Sequence, residues 1–215
     1  MNDPRVISIH VGKVAPLGSE GVPSGFVKDA IIGPVNVTQW GIRGDEQADL
    51  RVHGGPDKAV YGYGSSHYAA WRQEYPQHSK LLVPGGLGEN LAIENMTEAD
   101  LCVGDVHSIG TTRMQVCQPR QPCFKFALRF NDKALPKAMI RNGRSGWYYR
   151  VLTPGVISQG DQVVLVERPN PGFPFTRLVE FTIPGRATKG DWERMTNTPG
   201  LAQDWRQRAV EILAR

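Results

Sequence analysis

The sequence predicts a mostly β fold with some α: a β-barrel with flanking helices, followed by a small C-terminal three-helix appendage. Three observations predict it. Glycine (24) and proline (16) make up almost a fifth of the 215 residues, which favours short strands and tight turns over long helices. Short alternating stretches recur at close spacing with turn residues between them, the pattern of a closed or partly closed barrel. After Arg168 the pattern changes. Pro169-Asn170-Pro171-Gly172 reads as a linker, and amphipathic segments of helical spacing follow it.

Residues 6–11 alternate and give a first strand. Residues 29–40 hold apolar pairs broken by Gly33-Pro34, two short strands about a turn. Residues 45–58 are polar and glycine-bearing, a long loop, and 59–63 form a short strand. Tyr68, Trp71 and Tyr75 fall at helical spacing within 65–75, with Ser65 or Ser66 as cap. A glycine loop at 84–90 feeds a strand at 91–94. In both 103–106 and 159–163 a Gly-Asp turn enters a strand. Residues 113–118 form a strand that ends at Pro119; 123–130 and 133–142 have helical spacing; 145–152 and 156–166 complete the β part. The tail predicts helices near 175–182, 189–196 and 201–214, the last with Leu201, Trp205, Ala209 and Leu213 at four-residue steps. The expected division is 1–168 for the barrel and 169–215 for the three-helix part. About 45 residues are too few to fold alone, so the tail is expected to pack on the barrel, on itself, or across a homodimer contact.

Hydrophobic residues at 40% and charged residues at 21% are ordinary for a globular chain. The net charge of +4 is spread along the sequence without a basic run, so no nucleic-acid arm is expected. No apolar leader opens the chain and no stretch is long enough to span a bilayer, so no membrane role is expected either. Three cysteines, Cys102, Cys117 and Cys123, do not make a secreted disulfide framework. A reducing cytoplasm is the expected setting.

The densest chemical signal is Cys117-Gln118-Pro119-Arg120-Gln121-Pro122-Cys123-Phe124-Lys125. Pro119 stops a strand, and Pro122 stiffens the loop just before Cys123. That places Cys123 at a helix N-terminus, where free N–H groups and the helix dipole favour a thiolate. Arg120 and Lys125 add cations on either side. A thiolate binds soft metals or attacks electrophiles. For a single cysteine the alternative is a buried, inert thiol; two prolines and two cations favour function. Cys117 alternates within its strand and reads as packing, and Cys102 is assigned no role.

A second cluster runs Arg43-Gly44-Asp45, then Arg51-Val52-His53-Gly54-Gly55-Pro56-Asp57-Lys58. Gly54 and Gly55 allow close backbone approach and expose N–H groups to an anion, while His53 and Lys58 bring a titratable donor and a cation. By itself this is equally a surface turn. The third cluster, Gly85-Gly86-Leu87-Gly88-Glu89-Asn90, matches neither a phosphate loop nor a dinucleotide fingerprint. Zinc fits poorly, because there is no Cys-x-x-Cys and only the Pro-Cys half of a deaminase pattern. A Cys–His nucleophile pair stays open, with five histidines in the chain.

In this order the three clusters resemble the MOSC domain, over about residues 25–167. His53-Gly54-Gly55 with Lys58, Gly88-Glu89-Asn90, and Gln118-Pro119-Arg120-x-Pro122-Cys123-x-Lys125 are similar to the YiiM branch of that family, as is a helical tail from Pro171 onward. The resemblance implies a molybdopterin-type molybdenum cofactor with Cys123 as sulfur donor to the metal. It implies reduction of N-hydroxylated compounds, such as 6-N-hydroxylaminopurine, to the amine, with electrons from an external flavin or iron–sulfur reductase. Arg43, Lys58, Arg120 and Arg144 are then candidates for the cofactor's phosphate, with Lys125 and the backbone at Gly54 and Gly55. Asn90 and Gln118 are candidates for the pterin ring; Cys123, His53 and Lys58 are the catalytic candidates, with His53 for proton donation or ligand orientation. Trp147 or Tyr148 lines the substrate mouth or packs in the core. The rival readings are a cofactor carrier without turnover, a sulfur carrier with a persulfide on Cys123, and a thiol enzyme. The tail either docks the reductase or covers the barrel.

Overall fold

In the computed structural model, which describes residues 3–50 and 53–215, β1 (Arg5–Val11) follows the expected alternation. It buries Val6 and Ile9 and pairs antiparallel on both sides. The other strands are β2 (Ala15–Leu17), β3 (Val22–Ser24), β4 (Asp29–Ile31), β5 (Val35–Thr38), β6 (Gly41–Ile42), β7 (Val60–Gly64), β8 (Leu91–Glu94), β9 (Val106–Ile109), β10 (Thr112–Pro119), β11 (Trp147–Thr153), β12 (Gly155–Ile157) and β13 (Val163–Glu167). The helices are α1 (His67–Glu74), α2 (Phe124–Phe130), α3 (Ala134–Asn142), α4 (Phe175–Glu180), α5 (Lys189–Thr196) and α6 (Gln203–Leu213).

Eight strands form one sheet in the order β13-β9-β10-β11-β7-β8-β1-β4. Its neighbours are antiparallel except β7 and β8. A parallel pair needs a long crossover, and residues 65–90, carrying α1, supply it. The sheet curls until its ends approach. Val6 N–H donates to Asp161 O (2.9 Å), Gly160 N–H to Val6 O (2.7 Å) and Val163 N–H to Pro4 O (2.8 Å). A single bridge, Arg5 to Gln162, stands where a ladder would close the cylinder, so the barrel is partial.

The hairpin of β2 and β3 is absent from the sequence expectation because Pro16 and Pro23 face each other across it. Proline is tolerated in such an isolated two-stranded ribbon, where a missing N–H faces outward. The single strand expected over 156–166 is two, β12 and β13, divided by a turn in which Ser158 N–H donates to Asp161 (2.7 Å). The other Gly-Asp turn uses the same device, Cys102 N–H to Asp105 (2.8 Å).

The tail packs on the barrel. Phe173, Phe175, Leu178, Met195, Trp205 and Ala209 belong to the same buried cluster as Val103, Val116 and Cys117. Backbone bonds fix this packing: Phe175 N–H donates to Leu101 O (2.9 Å) and Ala202 N–H to Cys117 O (3.0 Å). A second cluster gathers α1, α2 and α3 around Tyr63, Trp71, Phe126 and Leu135. Among the described residues, no helix is long and apolar enough to cross a membrane.

Candidate functional site

β10 carries the chain to Pro119, and a short loop later Cys123 caps α2 in an extended conformation (φ −103°, ψ 175°). The cap position leaves N–H groups of the first turn without helical acceptors, and the Lys125 N–H is spent on the Cys123 sulfur. Burial by itself would raise this thiol. The hydrogen bond from His53, the charge of Arg120 and the Lys125 N–H outweigh it and bring the pKa down to about 7. Near neutrality a large share of Cys123 is therefore thiolate. Cys117 is the contrast: it is fully buried, its S–H donates to Asp57 O (3.0 Å), and burial pushes its thiol up.

Cys123 is partly exposed and lies where two clefts meet. The first is lined by the cations Lys28, Lys58, Arg120 and Lys125. The buried Arg120 guanidinium lies over the rings of Phe26 (5.0 Å) and Tyr61 (4.8 Å) and donates to Leu87 O (2.8 Å). Aromatic faces and a carbonyl thus replace the water it gave up. Lys125 donates to Pro23 O (2.8 Å), so it serves the sulfur through its backbone and the cleft through its side chain. Lys28 and Asp45 form an ion pair with both side chains buried, and burial lowers the lysine pKa even though Asp45 opposes the shift.

The glycine loop holds this wall in place. Glu89 is fully buried and accepts from Gly85 N–H (2.7 Å), Leu87 N–H (3.2 Å) and the Tyr68 hydroxyl; burial raises its pKa. Gly88 has φ +80°, and a side chain there would press on Phe26 O at 3.2 Å. Asn90 ties three segments: it accepts from Tyr61 N–H (3.0 Å) and donates to His10 O (3.1 Å) and Asp45 (2.9 Å).

The structure brings Cys123, His53, Gly54, Lys58, Asn90, Arg120 and Lys125 together on the first cleft. Gln118 lines the second, where its amide donates to Asp57 O (2.8 Å). Gly55 lies on an adjoining groove beside α6. Two candidates are elsewhere. Arg43 falls in the turn just after β6, where its side chain is exposed to solvent. Arg144, after the left-handed turn at Gly143, reaches back to Glu74 (2.8 Å) and lies over Trp71 (5.5 Å). Neither lines the cleft. Arg51 and Val52 of the second motif lie outside the described residues. Trp147 is buried in the core, whereas Tyr148 lines both clefts. Lys28, Phe26 and the role of Asp45 are not anticipated by the sequence. No local motif marks the first two; they lie between β3 and β4 and meet the Cys123 loop and α2 through tertiary contacts such as Lys125 to Pro23 O and Phe26 against Phe126.

The MOSC domain family model matches residues 49–164. Protein YiiM of Escherichia coli is 37% identical over 162 residues, which span 75% of this chain and 72% of that protein. A protein of Gibberella moniliformis named Reductase is 39% identical over 169 residues, 77% of this chain but only 30% of that longer protein. The crystal structure of YiiM from Geobacillus stearothermophilus superposes with a TM-score of 0.82 at 32% identity, covering 98% of this chain and 99% of that one. With a low-pKa cysteine on a cation-lined cleft and a family match over more than half its length, the chain belongs to the MOSC domain family.

Proposed function

We propose that this chain is a molybdenum cofactor-dependent reductase that converts N-hydroxylated compounds such as 6-N-hydroxylaminopurine to the amine. A separate flavin or iron–sulfur reductase would supply the electrons, and the setting would be the cytoplasm. The observation that carries the reading is Cys123: a partly exposed thiol poised to ionise, at the junction of two clefts. The name of the Gibberella relative agrees with redox chemistry.

The residues fit a molybdopterin-type group. A thiolate is a soft donor suited to molybdenum already held by pterin sulfurs. Lys58, Arg120 and Lys125 provide charge for a phosphate, and the backbone at Gly54 (φ +146°) provides close approach. Asn90 borders the same space, although its amide already serves the fold. When bound, the cofactor would supply the two-electron chemistry. The protein's part is to keep Cys123 ionised through His53 and Arg120, to hold a proton on the His53 ring beside the sulfur, and to shield the cleft with Phe26, Tyr61 and Tyr148. In this reading residues 1–168 carry the cofactor, and residues 169–215 close one side of the site.

The test is an amine-formation assay on 6-N-hydroxylaminopurine with protein from molybdenum-replete cells and a reduced flavin donor. Turnover that disappears in Cys123→Ser is expected. A molybdenum-bearing protein without turnover on any N-hydroxylated compound would instead favour a cofactor carrier.

A further inference from the structure

The second cleft has a wall that the barrel does not provide. Asp204, Trp205 and Arg208 of α6 line it together with Cys123, Lys58 and Tyr148. The helix is fastened to the loop that carries His53: Gln203 N–H donates to Asp57 Oδ2 (2.7 Å), and Asp204 pairs with Lys58 (3.5 Å). Asp57 in turn is held by Arg150 (2.7 Å), so the start of α6 is keyed to β11 as well. Trp205 is buried, and the Arg208 guanidinium lies over both Trp192 (5.7 Å) and Trp205 (5.8 Å). Two indole rings brace a surface arginine that would otherwise be free to move.

The two clefts differ in chemistry. Buried cations dominate the first. The second combines the Tyr148 ring and the planar Arg208 guanidinium, backed by the buried Trp205, with the Asp204 carboxylate as acceptor. A planar guanidinium stacks on rings and donates in a fixed fork, and a carboxylate accepts from ring-edge N–H groups. We infer that α6 is the substrate-recognition wall, with Asp204 and Arg208 as specificity-determining residues for a planar heteroaromatic substrate bearing donors and acceptors on its edge. This deepens the reductase reading and rests on it for the identity of the reaction. It makes the three-helix tail part of the binding site.

The experiment titrates adenine, a planar amine of the product type, into molybdenum-replete wild type, Arg208→Ala and Asp204→Asn, with metal content and thermal midpoint measured on each. Both side chains are solvent-exposed, so the fold and the metal content are expected to hold. Adenine affinity is expected to fall about tenfold or more in each variant, with Arg208→Lys recovering part of it. In turnover, KM for the heteroaromatic substrate rises while kcat holds, and KM for a small aliphatic hydroxamic acid stays put. Unchanged adenine affinity in both variants, or no adenine binding by wild type, overturns the inference. A wild type without molybdenum that still binds adenine through these two residues removes the cofactor reading and leaves the wall standing.

Discussion

His53 donates a hydrogen bond to the Cys123 sulfur, joining the loop before β7 to the N-cap of α2. The contact couples the two motifs that the sequence presents separately, and it sets the protonation of the site. Alkylation of the metal-free protein by iodoacetamide is expected to follow a single titration with a midpoint of about 7. In His53→Ala the midpoint should rise toward the ordinary thiol value of about 8.5. A midpoint that does not move would show that Arg120 and the helix terminus suffice.

The same shift links folding to pH. The folded thiol has the lower pKa, so its stabilising contribution is fully present above the ordinary thiol value of about 8.5 and is lost as pH falls through about 7. The stability of wild type relative to Cys123→Ser should therefore grow between about pH 6 and about pH 9. Denaturant melts at both pH values check the sign.

Asp45 is expected to be a stability hotspot although it borders the site. Its carboxylate, buried against Lys28, also accepts from Gly12 N–H (2.8 Å) and the Asn90 amide (2.9 Å). Asp45→Ala strands a buried ammonium and should cost about 3–5 kcal/mol in urea unfolding. The double variant Lys28→Met with Asp45→Leu should recover much of that loss.

Trp205 sits in the shared core, 4% exposed. Trp205→Ala should destabilise the whole molecule by about 3–5 kcal/mol in one cooperative transition. Two separate transitions would mean that the tail folds apart from the barrel.

Legibility in the sequence depends on distance along the chain. The strand–proline–cysteine–helix order at 113–130 is local, and β10, Cys123 and α2 match it closely. Turn chemistry at Asp105 and Asp161 is local too. Lys28 carries no local signal because its value comes from burial against Asp45, a tertiary fact. Arg43 is exposed outside the cleft because it falls in the turn after β6, and proximity to Asp45 in sequence does not fix where a side chain ends. Ser66 takes the N-cap position of α1 without a side-chain bond, so the capping signal locates the helix but not the interaction. Parallel pairing of β7 with β8 follows from a crossover whose length is readable but whose path is not.

The most direct measurement is the molybdenum content of the protein purified from molybdenum-replete cells, for wild type and Cys123→Ser side by side. Near-stoichiometric metal in wild type, lost in the variant while its circular dichroism and melting point persist, is the predicted result. Wild type without molybdenum, or a Cys123→Ser variant that keeps its full complement, would contradict a metal-holding role for that sulfur.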